Sequence, residues 1–199
     1  MKDRLAQICG KYAQFRTGKA IDDAEHMIEG FAKLCETFAG LIHPLGIAQC
    51  PDPVFEGAQG LLLDQGNKAF FPHVTRSNTG MKNVRTLCHQ AGIDHIEAYY
   101  ISRTYLTRHG AGPLPGEDAA LSFEDNTNVP HAHQGSLRFA PLGIGGLHER
   151  CAADFGNYGF RLVMTYCDQL REPYPANLYF DGPTRDDIRS SSKKTRISA

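Results

Sequence analysis

The sequence predicts an α/β fold in which a mixed or parallel sheet is flanked by helices. Apolar residues recur at helical spacing over the first 43 residues. After residue 50, short β-branched and aromatic runs alternate with a helical stretch. Strands that alternate with helices are typical of sheets that contain parallel pairs. Binding sites in such sheets lie at the carboxyl ends of the strands, so the residues after each strand are the first candidates for a site.

Two helices are predicted in the first part of the chain. Residues 2–15 carry apolar side chains one helical turn apart, and residues 22–43 repeat that pattern more strongly. Asp22 stands where an N-cap and the helix dipole favour an acid, and Pro44 stands where the helix has to end. Residues 1–49 are therefore predicted to form a helical lead-in that serves packing.

The remainder is predicted to hold strands, one helix and a long loop. The expected strands are "PVFEGAQG" (53–60, ending in a glycine turn), "HIEAYYISRTYLTRHG" (95–110), "GFRLVMTYC" (159–167) and "ANLYFDGP" (176–183). "GMKNVRTLCHQAGI" (80–93) predicts a helix that ends at a glycine, and residues 110–136 are too polar and too rich in Gly and Pro for regular structure. We expect one domain over 1–189, with the candidate site motifs in 50–189 and a flexible basic tail over 190–199.

Composition excludes several classes of protein. The net charge of −1 provides no basic field for nucleic acid, and no apolar run approaches the ~18 residues of a membrane helix. The N-terminus lacks a secretory apolar core, which favours a cytoplasmic protein. Six cysteines without a C-x-x-C pair indicate reduced structural thiols. His131 and His133 lie two apart without a second ligand pair, so no metal site is predicted.

Four segments place polar groups just after an apolar run, where a ligand can approach. Glycine allows close approach to the backbone, and neighbouring N–H and hydroxyl groups before a helix can hold a phosphate. Gln59 offers the paired donor and acceptor that a base edge requires, and Arg108 or Arg138 can meet a carboxylate or phosphate in two hydrogen bonds. The four segments are Glu56–Gly60, Thr75–Gly80, Thr107–Pro113 and Asp181–Arg185.

These segments resemble the adenylosuccinate synthetase family. "EGAQGLLLD" followed by "FPHVTRSNTG" is similar to the family pattern E-G-A-Q-G, L-L-D and Y-P-x-V-T-S-S-N-T, and "YLTRHGAGPLPGE" resembles Y-x-T-R-V-G-x-G-P-F-P-T-E. "GFRLVMTYCDQL" and "FDGPTRDD" are similar to the strand that ends in K-L-D and to the terminal S-x-G-P-x-R segment. The order holds from about residue 50 to residue 187, which implies the C-terminal part of the family's P-loop-related fold.

The resemblance implies a reaction and its cofactors. In this family GTP, with Mg²⁺, phosphorylates O6 of IMP, and the aspartate amine then displaces the phosphate to give adenylosuccinate. By motif position, a substrate-nucleotide site is implied at Glu56, Gln59, Gly60, Thr75, Asn78 and Thr79, with Gln59 on the purine and Thr75 on the 5′-phosphate. A guanine pocket is implied at Asp168, Gly182 and Pro183, and a structural loop at Thr107, Arg108, Gly110 and Gly112. Arg138 becomes the candidate for the second substrate's carboxylate or for the ribose.

Two departures from the family pattern change the expected activity. The glycine-rich phosphate loop has no counterpart, because Gly10-Lys11 and Gly18-Lys19 have no glycine-rich lead-in. No catalytic residue is therefore assigned, and the isolated chain is expected to be inactive. The arginine cluster T-T-G-R-x-R-R is replaced by a stretch that ends in "QGSLRF", which puts aspartate specificity in question and resembles short phage-type members that act on 2-amino purine deoxynucleotides. Tyr166 stands in place of the lysine of K-L-D, which leaves ATP open beside GTP.

Three hypotheses follow. In the first, the chain is the nucleotide-recognising part of a ligase for IMP or (d)GMP, completed by a separate P-loop-bearing chain and by homodimer contacts. In the second, it is a non-catalytic purine-nucleotide-binding or regulatory protein. In the third, it is a decayed or truncated gene product, against which the intact motifs at Glu56–Gly60 and Thr107–Gly112 count.

Overall fold

The computed structural model describes residues 2–12, 20–41, 46–125, 127–130, 132–170 and 174–191. The chain forms two compact units, Met1–Pro51 and Asp52–Ala199. No helix in the described ranges is both long and apolar enough to cross a membrane. The predicted flexible tail lies, from residue 192 onwards, outside the described residues. Of the two tail residues that are described, Ser190 ends a strand and the N–H of Ser191 donates to the carbonyl oxygen of Asn177.

The first unit contains two helices, as the apolar spacing predicts. Helix α1 spans Lys2–Tyr12 and helix α2 spans Ala20–Leu41. The two helices pack against each other, and Ala32 of α2 is completely buried. The predicted helix ends at residues 13–15 and 42–43, together with the stop at Pro44, lie outside the described residues.

The second unit contains a four-stranded mixed sheet. Its strands are β1 (Tyr99–Arg103), β4 (Arg161–Thr165), β5 (Leu178–Phe180) and β6 (Ile188–Ser190), in the spatial order β1-β4-β5-β6. The first two pairings are parallel and the β5–β6 pairing is antiparallel. This arrangement confirms the predicted α/β fold with a mixed sheet. It also brings the carboxyl ends of β1, β4 and β5 to one edge.

The run at 95–110 forms two strands, so the prediction of a single strand is wrong. Strand β2 (Tyr105–His109) follows β1 after Thr104 alone and pairs antiparallel with β3 (Leu137–Pro141) in a separate two-stranded sheet. Thr104 is buried, and its hydroxyl donates to the carbonyl oxygen of Tyr166 at 3.1 Å. A β-branched and aromatic run that favours strand throughout cannot reveal where the chain leaves one sheet for another.

Two helices flank the mixed sheet. Helix α3 (Lys82–Ala91) ends at Gly92 in the left-handed conformation with φ 70°, which confirms the predicted helix and its glycine stop. Helix α4 (Ile144–Phe155) was not predicted from the sequence. The core joins β4 to α4 through Leu162, Met164 and Cys151, all at most 1% exposed. The helices therefore cover a sheet whose strand ends carry the candidate site residues.

Two further predictions concern irregular segments. Residues 53–60 form no strand, so the strand predicted there is wrong. The segment leads into a turn that is held by contacts with residues later in the chain, and these contacts take the place of strand pairing. In the described part of 110–136 there is no helix and no extended strand, as predicted. The five cysteines whose side chains are described are free thiols: Cys35, Cys50, Cys88, Cys151 and Cys167.

Candidate functional site

The segment Glu56–Gly60 lies at the surface with two polar side chains available. Glu56 and Gln59 are exposed, and neither side chain has a hydrogen-bond or ion-pair partner among the described residues. Gln59 adopts φ 68°, in the left-handed region that a non-glycine residue rarely occupies. Such backbone conformations cluster at ligand-binding positions, where the surrounding structure holds them. Gly60 then begins a 3-10 turn over Leu61–Leu63.

Asp64, directly after this turn, joins the two predicted walls of the nucleotide site. Its Oδ2 accepts a hydrogen bond from the backbone N–H of Thr79 at 2.7 Å, and its Oδ1 accepts from the N–H of Gly66 at 2.8 Å. The hydrogen bond from Thr79 is the main cause of the lowered pKa of Asp64, followed by that from Gly66. A Cβ added at Gly57 would lie 3.5 Å from the carbonyl oxygen of Thr79, so Glu56–Gly60 and Thr75–Gly80 are in contact.

The Thr75–Gly80 run is held by further polar contacts with its neighbours. The N–H of Thr75 donates to the carbonyl oxygen of Leu63 at 2.8 Å. The amide of Asn78 accepts from Gln65 at 2.9 Å and donates to Asn83 at 2.8 Å. The hydroxyl of Thr75 lies 3.4 Å from that of Ser77. Thr75 and Ser77 therefore present a pair of hydroxyls, while Asn78 and Thr79 are engaged in holding the turn.

The carboxylate of Asp154 accepts a hydrogen bond from the backbone at the amino end of α3. Both carboxylate oxygens of Asp154, on α4, accept from the N–H of Met81 at 3.2 and 3.0 Å, and Oδ2 also accepts from the Tyr100 hydroxyl at 2.5 Å. A Cβ at Gly80 would overlap the Asp154 carboxylate, so only glycine fits there. Of the backbone N–H groups before this helix that could hold a phosphate, that of Met81 is taken by Asp154 and that of Thr79 by Asp64.

An open cleft of about 360 Å³ lies beside this junction. It is lined by Leu61, Leu62, Asp64, Asn67, Arg150 and Asp154. Arg150 has no hydrogen-bond or ion-pair partner within the ranges that the structure describes. The cleft thus combines an apolar wall with a cation and two carboxylates that are already hydrogen-bonded.

Arg108 and Arg138 face each other across the β2–β3 pair and clamp one loop. Arg138 donates to the carbonyl oxygens of Gly110 and Gly112 at 2.8 and 2.7 Å and forms a 2.6 Å ion pair with Glu117. Arg108 donates to the carbonyl oxygens of His73, Ala111 and Pro113 at 2.7, 3.0 and 3.3 Å. Thr107 lies beside Arg108 in β2, paired with Phe139. Both guanidinium groups therefore donate hydrogen bonds within this chain, and Arg138 holds the loop; its contact with a substrate stays a prediction.

The residues of the implied guanine pocket lie at the carboxyl edge of the mixed sheet. Asp168 is exposed and follows β4, while Gly182 and Pro183 follow the parallel neighbour β5. The N–H of Cys167 donates to the carbonyl oxygen of Phe180 at 3.1 Å, which brings the two strand ends together. A Cβ at Gly182 would lie 2.6 Å from the Asp187 carboxylate, so this turn also requires glycine.

Arg103 contributes a cation to the same edge. Its guanidinium lies 4.4 Å from the Tyr166 ring centroid and forms a 2.9 Å ion pair with Asp125, whose side chain is 4% exposed. Burial raises the pKa of Asp125, but hydrogen bonds from Thr127, Asn128 and Arg103 outweigh it and leave that pKa well below its usual value. Tyr166 has φ 60°. The ion pair connects the long loop to the strand ends, and the Arg103 guanidinium lies against the Tyr166 ring at the same edge.

The structure thus groups the predicted residues into three sets. The first set lies on the two segments that meet through Asp64: Glu56, Gln59, Gly60, Thr75, Asn78 and Thr79. The second set belongs to the arginine clamp: Thr107, Arg108, Gly110, Gly112 and Arg138. Asp168, Gly182 and Pro183 share the sheet edge. Contact of any of them with a nucleotide stays a prediction. Sequence reasoning did not assign Asp64 or Asp154. Asp64 stood in the quoted "LLLD" and could have been found there, whereas Asp154 lies in helix α4, which was not predicted, and carried no signal.

The fold and the site define an α/β protein whose candidate ligand contacts lie on turns at strand ends. The chain belongs to the adenylosuccinate synthetase family, because the family model described as Adenylosuccinate synthetase matches residues 2–135. This match includes the Asp64 junction and most of the arginine clamp. Arg138, Asp168, Gly182 and Pro183 lie beyond it.

Curated relatives agree with the family over a shorter stretch. Proteins named adenylosuccinate synthetase from Francisella tularensis subsp. novicida (strain U112) and subsp. tularensis (strain WY96-3418) are each 42% identical over 73 residues. The same identity and length hold for the protein of that name from subsp. mediasiatica (strain FSC147). In each case the match covers 36% of this chain and 16% of the relative. The chain therefore matches only a small part of these relatives' length.

Proposed function

We propose that this chain supplies the purine-nucleotide-binding part of an adenylosuccinate synthetase-type ligase. The reaction would join IMP or (d)GMP to aspartate at the expense of GTP, in cytoplasmic purine nucleotide biosynthesis. A P-loop-bearing segment outside these 199 residues would complete the site, on a partner chain or on a longer polypeptide. Family membership supports the ligase class, and the residue contacts below support the assignment of this part.

One observation carries the proposal: Asp64 joins the two segments that the family pattern assigns to one nucleotide. The 2.7 Å hydrogen bond from the Thr79 N–H to Asp64 fixes Thr75–Gly80 beside the turn that begins at Gly60, directly after Gln59. Gln59 and Glu56 are exposed without partners among the described residues, so they are available to a purine edge. The Thr75 and Ser77 hydroxyls, 3.4 Å apart, are available to the 5′-phosphate.

Phosphoryl transfer needs groups that the described residues do not bring together. Within the described ranges, no three His, Cys, Asp or Glu side chains come together as a metal site. The proposal therefore assigns the Mg²⁺ ligands and the catalytic acid–base groups to the P-loop-bearing segment. The part left to this chain is binding and orientation of the purine nucleotide, with Asp168, Gly182 and Pro183 proposed for the base of the triphosphate.

The arginine clamp favours a second candidate, a nucleotide-binding or regulatory protein without ligase activity. Arg108 and Arg138 donate to the chain's own carbonyl oxygens and to Glu117, which leaves the aspartate carboxylate without the two-bond partner that an arginine provides. This candidate predicts nucleotide binding by the chain alone and no product with any P-loop partner.

Calorimetry on the full chain tests the shared step and separates the two candidates. IMP, dGMP, GTP and ATP are titrated into the wild type, into Gln59→Ala and into Gln90→Ala, a control glutamine exposed on α3. We expect one monophosphate to bind, and only Gln59→Ala to lose affinity. A P-loop-bearing family chain, GTP and aspartate are then added and product is measured. Binding without product supports the second candidate, and no binding of any nucleotide, alone or in the mixture, overturns both.

A further inference from the structure

Arg150 of α4 is a partly buried cation that lines the cleft beside the Asp64–Thr79 hydrogen bond. It has no hydrogen-bond or ion-pair partner among the residues that the structure describes. A guanidinium offers five donors in a planar fork, and carboxylates and phosphates are the groups that meet this fork with two parallel hydrogen bonds. An arginine that stays unpaired in a concave surface therefore indicates a site for an anionic group.

Helix α4 leaves room for the Arg150 guanidinium. Gly146 lies one turn earlier on the same helix, and a Cβ added there would lie 3.1 Å from Nη1 of Arg150, closer than an ordinary contact. Glycine disfavours a helix relative to alanine, so its presence in the first turn of α4 calls for a reason. The space that Gly146 leaves beside Nη1 provides that reason.

The other polar groups of the lining are acceptors, which favours a ligand that also carries a positive charge. An ionised carboxylate has about four acceptor positions. Asp64 uses three of them, and Asp154 accepts from the Met81 N–H and the Tyr100 hydroxyl, so each keeps at least one. The Asn67 amide donates to a backbone carbonyl oxygen, which leaves its own oxygen as a further acceptor. One cation beside two carboxylates disfavours a phosphate and suits a zwitterion.

We propose that this cleft binds a free α-amino acid with an aliphatic side chain. The ligand carboxylate meets Arg150, its ammonium meets the remaining acceptors, and its side chain packs on the apolar wall of Leu61 and Leu62. The volume of about 360 Å³ lies at the lower end for small-molecule sites, as a ligand of this size requires. The inference goes beyond the proposed function and does not rest on nucleotide binding.

The proposed ligand differs from aspartate, the second substrate of the proposed ligase reaction. Aspartate would bring a second carboxylate to a lining that already holds Asp64 and Asp154, and it has no aliphatic group for Leu61 and Leu62. Like charges at close range disfavour binding, so the cleft is expected to select against acidic side chains.

Calorimetry on the full chain, without nucleotide, tests the proposal with four probes. Leucine carries all three features, leucinamide lacks the carboxylate, isocaproate has the leucine skeleton without the ammonium, and aspartate lacks the aliphatic side chain. We expect leucine to bind and each of the other three to bind at least tenfold more weakly. No heat from leucine at millimolar concentration overturns the proposal. So does isocaproate or aspartate that binds as tightly as leucine.

Two pairs of variants assign the binding to Arg150. Arg150→Gln should weaken leucine at least tenfold and leave leucinamide unchanged, which a merely structural role would not do. Glu149→Gln, at an exposed position next to it on α4, should change neither. Gly146→Ala should weaken leucine by crowding Nη1, whereas Gly145→Ala, where an added Cβ meets nothing within 4 Å, should not.

The glycine pair keeps the test decisive should Arg150→Gln fail to fold. Alanine favours a helix more than glycine does, so both glycine variants are expected to keep the helix content of the wild type by circular dichroism. Leucine affinity that is equal in folded Gly146→Ala and Gly145→Ala overturns the assignment to Arg150. An equal loss of leucine and leucinamide in Arg150→Gln does the same.

Discussion

Asp64 and Thr79 stand 15 positions apart in the chain, and the Asp64 carboxylate accepts the Thr79 backbone N–H at 2.7 Å. This bond makes one surface out of two segments that are otherwise separate turns. The Asp64 carboxylate also occupies the Thr79 N–H, which is therefore not available to a phosphate. The candidate nucleotide site is therefore organised around an acid that the proposed ligand need not touch.

Asp64→Asn is expected to weaken the nucleotide site and the fold together. The amide keeps one acceptor oxygen but loses the charge, so we expect a loss of about 1–2 kcal/mol in the free energy of unfolding. Affinity for IMP or dGMP should fall about tenfold, since Thr75–Gly80 is no longer fixed beside Gln59. Urea unfolding and calorimetry measure both quantities. Asp94→Asn, an exposed aspartate without a partner among the described residues, should change neither, and equal effects in the two variants would contradict this role for Asp64.

Gln59→Gly is expected to separate stability from binding. Glycine adopts φ 68° without the cost that a side chain incurs there, so the free energy of unfolding should stay level or rise by up to about 1 kcal/mol. Nucleotide affinity should fall because the amide is lost. Tyr166→Gly, at φ 60°, is the matched comparison; it should destabilise the fold, since its ring packs against Arg103 and Tyr105. If Gln59→Gly retains full affinity, the Gln59 side chain is not a ligand contact.

The arginine clamp predicts unequal costs for two glycine substitutions. Gly112 has φ 111°, and an added Cβ would overlap the Arg108 guanidinium and the His73 side chain. Gly112→Ala should cost roughly 2–4 kcal/mol in the free energy of unfolding. Gly135 has φ 68° with nothing within 4 Å, so Gly135→Ala should cost only about 1 kcal/mol. Chemical denaturation of both variants measures the difference, and equal losses would show that the loop does not depend on Arg108.

The Tyr100–Asp154 contact predicts a loss of stability in alkali. Burial, followed by the hydrogen bond to Asp154, raises the pKa of Tyr100 above its usual value of 10.0. The pKa of Tyr100 is higher in the folded protein than in the unfolded chain, so the neutral phenol contributes to the free energy of unfolding. This contribution is complete below pH 10 and is lost as the pH rises towards the pKa of the folded protein. Unfolding of the wild type should therefore show a steeper decline above pH 10 than that of Tyr100→Phe. Tyr158→Phe, which changes a phenol that is 43% exposed, should decline like the wild type, and a Tyr100→Phe curve parallel to the wild type would refute the prediction.

Asp125 predicts the opposite dependence in acid. Its folded pKa lies below the usual 3.8, so its ionisation stabilises the fold at neutral pH, and that contribution is lost as the pH falls from about 4 towards the folded pKa. Asp125→Asn leaves Arg103 without its ion-pair partner and should be less stable at pH 7, by about 3 kcal/mol. Its stability should also depend less steeply on pH below 4. Thermal unfolding over that range compares the two proteins, and parallel acid profiles would exclude Asp125 as a source of acid sensitivity.

The sequence predicts those elements whose signal is local. The 3.6-residue spacing of apolar residues predicts α1 and α2, and the glycine after α3 predicts where that helix ends. Helix α4 escapes prediction because it opens with Gly145 and Gly146, which disfavour a helix in isolation, and it forms because its apolar side chains pack on the mixed sheet. Propensity is a weak guide wherever tertiary packing decides the outcome.

The candidate site also has parts that the sequence predicts and parts that it does not. Motif order indicates which segments approach a ligand, and the structure brings Gly57 of the first segment against Thr79 of the second. The roles of Asp64, Asp154 and Arg138 depend on hydrogen bonds across 15, 73 and up to 28 positions, which no local pattern records. A carboxylate that closes the end of α3 and an arginine that holds a loop are visible only once the fold has brought them together.

Thr104 connects the two sheets of the second unit and is itself bonded to the four-stranded one. It is the single residue between β1 and β2, it is 1% exposed, and its N–H and hydroxyl donate to the carbonyl oxygens of Thr165 and Tyr166. Because no other residue separates β1 from β2, this one residue fixes the start of the strand that carries Arg108 to the end of the strand that Asp168 follows.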